Sequence, residues 1–309
     1  MKFIGIQAQK RRNNLYAVLQ LCSFPILLIA VIWVVSIAAF NPSDSFLVTA
    51  LSTPFVLIFV GVWFLIAFFF HNQMIQFATG ASPLQRQENK RVYNLLENLC
   101  ISQGMQMPKM YIIKDDSLNA FASGINQKNY SITVSKGMLD KLDDAELEGV
   151  LAHELSHIIN NDVRLLIVSI VFVGIFAFVS ELAFRMLGNL SFRSRNNEKD
   201  NRGGIVLLVI VVATAIAYFL SILLKFGISR NREYLADANA AEMTKKPQAL
   251  ASALKKVSQD PYIEAVQMRD VSQLFIEHPQ PSSLRSSWDN LFSTHPPIEK
   301  RIELLNQFV

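Results

Sequence analysis

Asp143-Asp144-Ala145-Glu146-Leu147-Glu148-Gly149-Val150-Leu151-Ala152-His153-Glu154-Leu155-Ser156-His157 reads as a capped helix that carries its chemistry toward its far end. Asp143 stands where an N-cap belongs, and Glu146 follows three residues on, the spacing of a capping box. Leu147, Val150, Leu151, Leu155 and Ile158 recur at helical spacing and mark one apolar face. On such a helix His153 and His157 sit one turn apart on the same side, so both imidazoles reach a single ion while Glu154 projects beside them. This is the HExxH pattern. With 5 His in 309 residues, shuffled composition would yield it roughly 0.003 times per chain. Chance is therefore a poor account, and the bland alternative is a solvated helix face that happens to carry these three side chains.

A catalytic zinc site of this type needs a third protein ligand and one position left for water. The stretch Ser229-Arg230-Asn231-Arg232-Glu233-Tyr234-Leu235-Ala236-Asp237 offers one, because Glu233 and Asp237 lie one turn apart on a second helix. Glu233 then binds the metal, and Asp237 points the same way to hydrogen-bond a ligand histidine and fix its tautomer. The expectation is one Zn2+ per chain, held by His153, His157 and Glu233, with Glu154 as the general base of a hydrolysis.

Outward from these segments the chain is unusually apolar. Hydrophobic residues make up 51% and charged residues 17%, against roughly 25% charged in a soluble globular chain. A helix crosses the hydrocarbon core with about 20 apolar residues. Leu15 to Phe40, Phe46 to Phe70 and Ile205 to Leu224 contain no charge, and a fourth run, Leu165 to Ser180, is followed by Glu181 and Arg185, whose i, i+4 spacing lets them pair. The link Asn41-Pro42-Ser43-Asp44-Ser45 reads as a tight turn. Lys2, Lys10, Arg11 and Arg12 precede the first run, which places the amino terminus, and after four spans the carboxy terminus, in the cytoplasm. Gly188 to Gly204, on the outer side, carries Arg193, Arg195, Lys199 and Arg202 against that rule.

The expected fold is thus a mainly α integral membrane protein, with four transmembrane helices plus a cytoplasmic α+β catalytic domain containing a small β-sheet. Its parts are an N-terminal hairpin (1–70), a first catalytic segment (71–162), a second hairpin (163–226) and a second catalytic segment (227–309). Met110 to Lys114, Asn119 to Ser123 and Tyr130 to Ser135 read as strands between turn residues. Asp144 to Asn160, Ser229 to Met243, Gln248 to Ser258 and Ile298 to Gln307 read as helices. At 1.5 Å per residue, His157 before Val163 and Glu233 after Lys225 would lie roughly 9 to 12 Å from the bilayer edge. Cys22 and Cys100 are too differently placed to staple the fold. The net charge of +4 with no long basic run argues against nucleic acid as a partner. His71 and His278 match no ligand spacing and read as surface residues.

His153-Glu154-x-x-His157 ahead of an apolar run, then Glu233-x-x-Ala236-Asp237 after another, resembles the HtpX-type membrane metallopeptidases, relatives of the CAAX prenyl proteases. The resemblance covers nearly the whole chain. It implies a zincin-like, gluzincin catalytic domain in the inner membrane of a prokaryote, cutting misfolded or damaged membrane proteins in a stress response. It implies that Asn119-Ala120-Phe121-Ala122 is the edge strand on which an extended substrate lies, and that His295, in His295-Pro296-Pro297, stands near the oxyanion. Asp162 also fits the family pattern. Each has a plain alternative: Asn119 ends a turn, His295-Pro296-Pro297 starts the last helix, and Asp162 is polar punctuation before a span.

Two other readings stay open at the level of sequence. A CAAX-type processing protease shares the chemistry but has more spans than the four counted. A non-catalytic membrane assembly factor with a structural zinc would share the ligands and need no Glu154. Oligomeric state and cleavage preference are not encoded in any motif found.

Overall fold

The computed structural model describes residues 6–168, 181, 185, 208–216, 219, 231–260 and 296–308. The chain divides into two compact units. One comprises Leu15–Phe69 and Val168–Gly227, the other Met1–Asn14, Phe70–Ile167 and Ile228–Val309.

The first unit is built on two long helices, α1 (Ile6–Ala39) and α2 (Pro42–Thr79). Both are long and apolar enough to cross a membrane, and only 11% of each apolar window is buried. Their large side chains, among them Ile26, Trp33, Phe55 and Ile58, therefore face outward instead of filling a protein core. Between the helices Phe24 and Val168 form a buried pair with Leu28, Val60, Trp63 and Phe64 packed around it. The few hydroxyls in this apolar setting bond locally, as they must where no water competes. The Ser45 hydroxyl donates to the Ser36 carbonyl at 2.9 Å, and Thr49 returns its hydroxyl to the Ser45 carbonyl at 2.8 Å. Of the other two apolar runs, 162–168 and 208–216 are helical, and Arg185 pairs with Glu181; the remainder, with the 188–204 loop, lies outside the described residues.

The reading of Asn41 to Ser45 as a turn needs correction. Helix α2 already begins at Pro42, with Asp44 in its first turn. Proline at a helix start loses no hydrogen bond and brings the required φ, so the connection shrinks to a single bend.

The second unit packs a mixed four-stranded sheet against helices. In chain order its elements are β1 (Ser82–Pro83), α3 (Lys90–Ser102), β2 (Lys109–Ile113), β3 (Ala120–Ser123), β4 (Ser131–Ser135), α4 (Lys136–Lys141), α5 (Asp144–Ile159), α6 (Asn231–Thr244), α7 (Pro247–Val257) and α8 (Ile298–Leu305). The strand order is β1-β2-β4-β3. β2 and β4 run parallel with Tyr111 opposite Thr133, and β3 pairs antiparallel to β4 with Phe121 opposite Thr133. β3 is therefore an edge strand, and since the Ser135 N–H donates to the Asn119 carbonyl, the alternation of an antiparallel ladder turns the backbone of Ala120 and Ala122 away from β4.

Helix α5 is the centre of this unit. The capping box is complete, Asp143 accepting from the Glu146 N–H and Glu146 from the Asp143 N–H. Leu147, Val150, Leu151, Leu155 and Ile158 are at most 2% exposed, each burial contributing about 1.5–3 kcal/mol. Gly149 lets α7 come close, since a Cβ there would meet Leu250 at 3.2 Å. Ser252 and Lys256 of α7 bond to Glu146 at 2.7 and 2.6 Å, tying the two helices at their ends. Arg91 of α3 donates to the Leu139 and Leu142 carbonyls at 2.8 and 2.7 Å, holding the segment that leads into α5.

His71 is not a surface residue: it is 3% exposed. α2 continues past its apolar run into this unit, where neighbouring Asn72 donates to the Asn129 carbonyl at 2.7 Å. His278 lies outside the described residues.

Candidate metal centre

Helices α5 and α6 bring the predicted ligands together. His153 and Glu233 are buried, His157 partly so, and their donor atoms all lie within 4.8 Å of one another. The two Nε2 atoms are 3.2 Å apart, and each is 3.6 Å from an oxygen of Glu233. An ion bound tetrahedrally at about 2.1 Å from each ligand sets those ligands about 3.4 Å from one another. The three separations lie on either side of that value, the two carboxylate contacts going to different oxygens of Glu233.

The second ring nitrogens explain why the first ones converge. His153 Nδ1 lies 3.0 Å from Asp237 Oδ1, and His157 Nδ1 lies 3.0 Å from Asp162 Oδ2. Each carboxylate draws the ring proton to Nδ1, which leaves both Nε2 lone pairs facing one another. Lone pairs at that distance repel unless a cation lies between them. The pocket also favours positive charge, since burial lowers the His153 pKa yet Asp237 and Glu233 outweigh it and push the imidazole up to about 9, a proton that a divalent cation would replace. The donor set therefore fits a divalent metal.

Glu154 is 2% exposed and accepts a hydrogen bond from the Ala122 N–H. Burial raises its carboxyl above the ordinary range, against the lowering influence of His153 and His157. The base candidate thus sits against β3, where the outward backbone of Ala120 and Ala122 begins. Asn119, 1% exposed, closes this end of the strand: its side-chain oxygen accepts from the Ala120 N–H at 3.0 Å and its own N–H donates to Ser135 Oγ at 3.0 Å. Phe121 is fully buried. His295 lies outside the described residues.

One residue of the site escaped the sequence reading. Arg301 of α8 is fully buried and forks onto Asp237 at 2.8 and 2.7 Å. Burial alone would raise the Asp237 carboxyl; the charge and hydrogen bonds of Arg301 hold it down at about 2. A signal existed, for Ile298, Arg301 and Leu305 fall on one helical face, and an arginine at a core position demands a buried partner. Asp162, noted in the sequence only as fitting the family pattern, has His157 as its partner.

Residues 86–309 match the model of Peptidase family M48. The chain belongs to that family. It is 52% identical to a protein described as "Protease HtpX homolog" from Bacteroides fragilis, over the whole of both chains. A relative of the same description from Dictyoglomus thermophilum is 44% identical over 76% of this chain and 74% of its own. Among solved structures, the crystal structure of S. mikatae Ste24p aligns with a TM-score of 0.48 at 20% identity, covering 81% of this chain and 57% of that one. As an M48 peptidase the chain is a membrane metalloprotease, a hydrolase, and the family implies a metal, generally zinc.

Proposed function

We propose that this M48 peptidase is a zinc endopeptidase of a prokaryotic inner membrane that cuts misfolded or damaged membrane proteins at the cytoplasmic surface. Four spans, two in 1–70 and two in 163–226, carry a catalytic domain assembled from 71–162 and 227–309. The single observation that carries the reading is the convergence of His153 Nε2, His157 Nε2 and the Glu233 carboxylate at tetrahedral separations.

When bound by these three residues, zinc supplies a Lewis acid that polarises a carbonyl and makes water acidic enough to lose a proton near pH 7. The protein residues do the rest. Glu154, held by the Ala122 N–H, takes the proton of the attacking water and passes it to the leaving amine, a task suited to a buried carboxyl whose affinity for protons is raised. Asp237 and Asp162 keep His153 and His157 in the ligating tautomer. The outward carbonyls of Ala120 and Ala122, whose N–H groups are already taken by Asn119 Oδ1 and Glu154, accept from an extended substrate lying beside Asn119 and Phe121, so the scissile bond arrives next to Glu154. His295 donates to the developing oxyanion.

The test uses detergent-purified full-length protein, an unfolded polypeptide substrate, a chelator, and added zinc. Cleavage should vanish with the chelator and return with zinc, and Glu154→Gln should keep its zinc while losing cleavage. Cutting that resists chelation, or a Glu154→Gln variant as active as the parent, ends the proposal.

A further inference from the structure

Each ligand histidine is oriented by an aspartate, and each aspartate is held from an end of the chain. For Asp237 the holder is Arg301 of the last helix. For Asp162 it is Asn13, near the start of the first. The Asn13 amide donates to Asp162 Oδ1 at 2.6 Å and to the Asn160 carbonyl at 2.9 Å, while Asp162 Oδ2 faces His157 Nδ1 at 3.0 Å. Asn13, Asp162 and Asn160 are at most 3% exposed, so no water shares these bonds freely. The turn they belong to is held on other sides as well. Asn161, at a left-handed φ of 59°, donates to Asn14 Oδ1 at 3.3 Å, and the Tyr130 hydroxyl donates to Asn161 Oδ1 at 3.3 Å. The described residues 6–14 accordingly belong to the catalytic unit and not to the apolar one.

We propose that Asn13 is a positioning residue of the zinc centre. A carboxylate can rotate about its Cβ–Cγ bond, and only one rotation aims Oδ2 at the His157 ring. The Asn13 amide fixes that rotation from the other oxygen and at the same time ties Asp162 to the end of α5 through the Asn160 carbonyl. His157 is thereby oriented by the first helix, across 144 positions of sequence from Asn13. One step of a helix is about 1.5 Å, and a displacement of that size at the amino-terminal end of α1 would break a 2.6 Å bond. Metal retention therefore depends on the seating of Asn13 within the catalytic unit, and this start of α1 is part of the enzyme.

The inference rests on the zinc assignment made above. Its test measures zinc affinity of the full-length protein by competition with a chelator, alongside thermal unfolding and kcat and KM on an unfolded polypeptide. Asn13→Ala should weaken zinc binding on the order of tenfold, the low end of what removal of an outer partner costs. Asn13→Asp, which loses the donor and sets a second carboxylate against Asp162, should weaken it more. Ser258→Ala, whose hydroxyl bonds to the Lys255 carbonyl at the surface, should leave it unchanged. In an Asp162→Ala background Asn13→Ala should add nothing, because the two act in series. Saturating zinc should restore most of the kcat of Asn13→Ala. Should that variant fail to fold, Asn13→Ser is read in the same way. An Asn13→Ala protein of lowered melting temperature but parental zinc affinity overturns the inference, as do losses that multiply with Asp162→Ala. A parent chain that binds no zinc overturns the metal assignment and this inference together; a zinc-binding parent with an equally tight Asn13→Ala overturns the inference alone.

Discussion

Arg301 and Asp237 form a two-pronged ion pair, 2.7 and 2.8 Å, inside the protein. Arg301 is wholly buried and Asp237 is 4% exposed. Taking two charges out of water is costly, and an isolated buried pair of this kind is weak evidence for stability. Its value here lies in what Asp237 touches. A carboxylate kept ionised at His153 Nδ1 holds that ring as a metal ligand, and α8 is joined to the site by the same contact.

Replacing Arg301 by Leu should therefore do two things at once. Asp237 is left as an uncompensated buried charge, at a cost of about 3–5 kcal/mol. His153 loses its firmly ionised acceptor, which weakens zinc binding by about 10–100-fold. Arg301→Lys keeps the charge but not the planar fork, and should fall between. Thermal unfolding and chelator competition on the same samples check both effects; a Leu variant with parental zinc affinity would show that the pair serves packing only.

The pH dependence of stability should carry the signature of Glu146. Burial raises this carboxyl, but bonds from Lys256, Ser252 and the Asp143 backbone outweigh it and hold it below its ordinary 4.5. The unfolded chain then binds the proton more readily than the folded one, so the contribution is complete above about pH 4.5 and fades as pH falls through the lower folded value. Glu146→Gln should lose about 1–2 kcal/mol near pH 7, as for bonds to a charged group, and the gap from the parent should close in acid. Denaturant midpoints of both proteins at pH 7 and below pH 4 decide it, and a gap constant over that range contradicts the assignment.

How much of this was legible beforehand differs by element, for physical reasons. The metal helix was readable because its cap, its period and its ligands are all local: Asp143 and Glu146 did pair as a box. β2, β3 and β4 were readable to within a residue because turn residues bracket them, whereas β1, only Ser82 and Pro83, is too short to show a pattern. The bend at Phe40 and Asn41 was misread, since proline breaks a helix from inside but starts one from outside. His71 was misread because α2 carries on past its apolar run to Thr79 and buries the residue there, which no local pattern records. Arg301 and Asn13 reach the site through contacts across long stretches of chain, to Asp237 and Asp162, and a single sequence carries no trace of which polar residues meet. Only the misfit of an arginine on an apolar helix face hinted at one of them.

Gly137 should tolerate no side chain. A Cβ there would sit 1.9 Å from the Asp116 carbonyl oxygen and 2.5 Å from that of Ser117, both backbone atoms with nowhere to yield. Gly137→Ala must displace residues 116 and 117, and Leu118 and Asn119 lead from them directly into β3. Overpacking of this kind costs about 1–3 kcal/mol or more. The melting temperature should fall, and activity measured well below that temperature should fall too, because the strand beside Glu154 moves. Parental activity with lowered stability would separate β3 from the chemistry.

Ala122→Pro tests the base from the strand. Proline breaks a strand by removing a ladder donor, but on an edge strand a donor that faces outward is not part of the ladder. The Ala122 N–H faces Glu154, not β4, and Phe121 before it is already extended, as a residue preceding proline must be. The ladder therefore survives, but the ring carbon meets the buried Glu154 carboxyl and leaves it without a donor, at a cost of about 1–3 kcal/mol. Glu154 loses the group that fixes its carboxylate, and kcat measured well below the melting temperature should drop on the order of tenfold, the equivalent of about 1.4 kcal/mol in the barrier. Zinc affinity should stay at the parental value, since none of His153, His157 and Glu233 touches this bond. A variant that cuts at the parental rate would show that the Ala122 amide does not position the base.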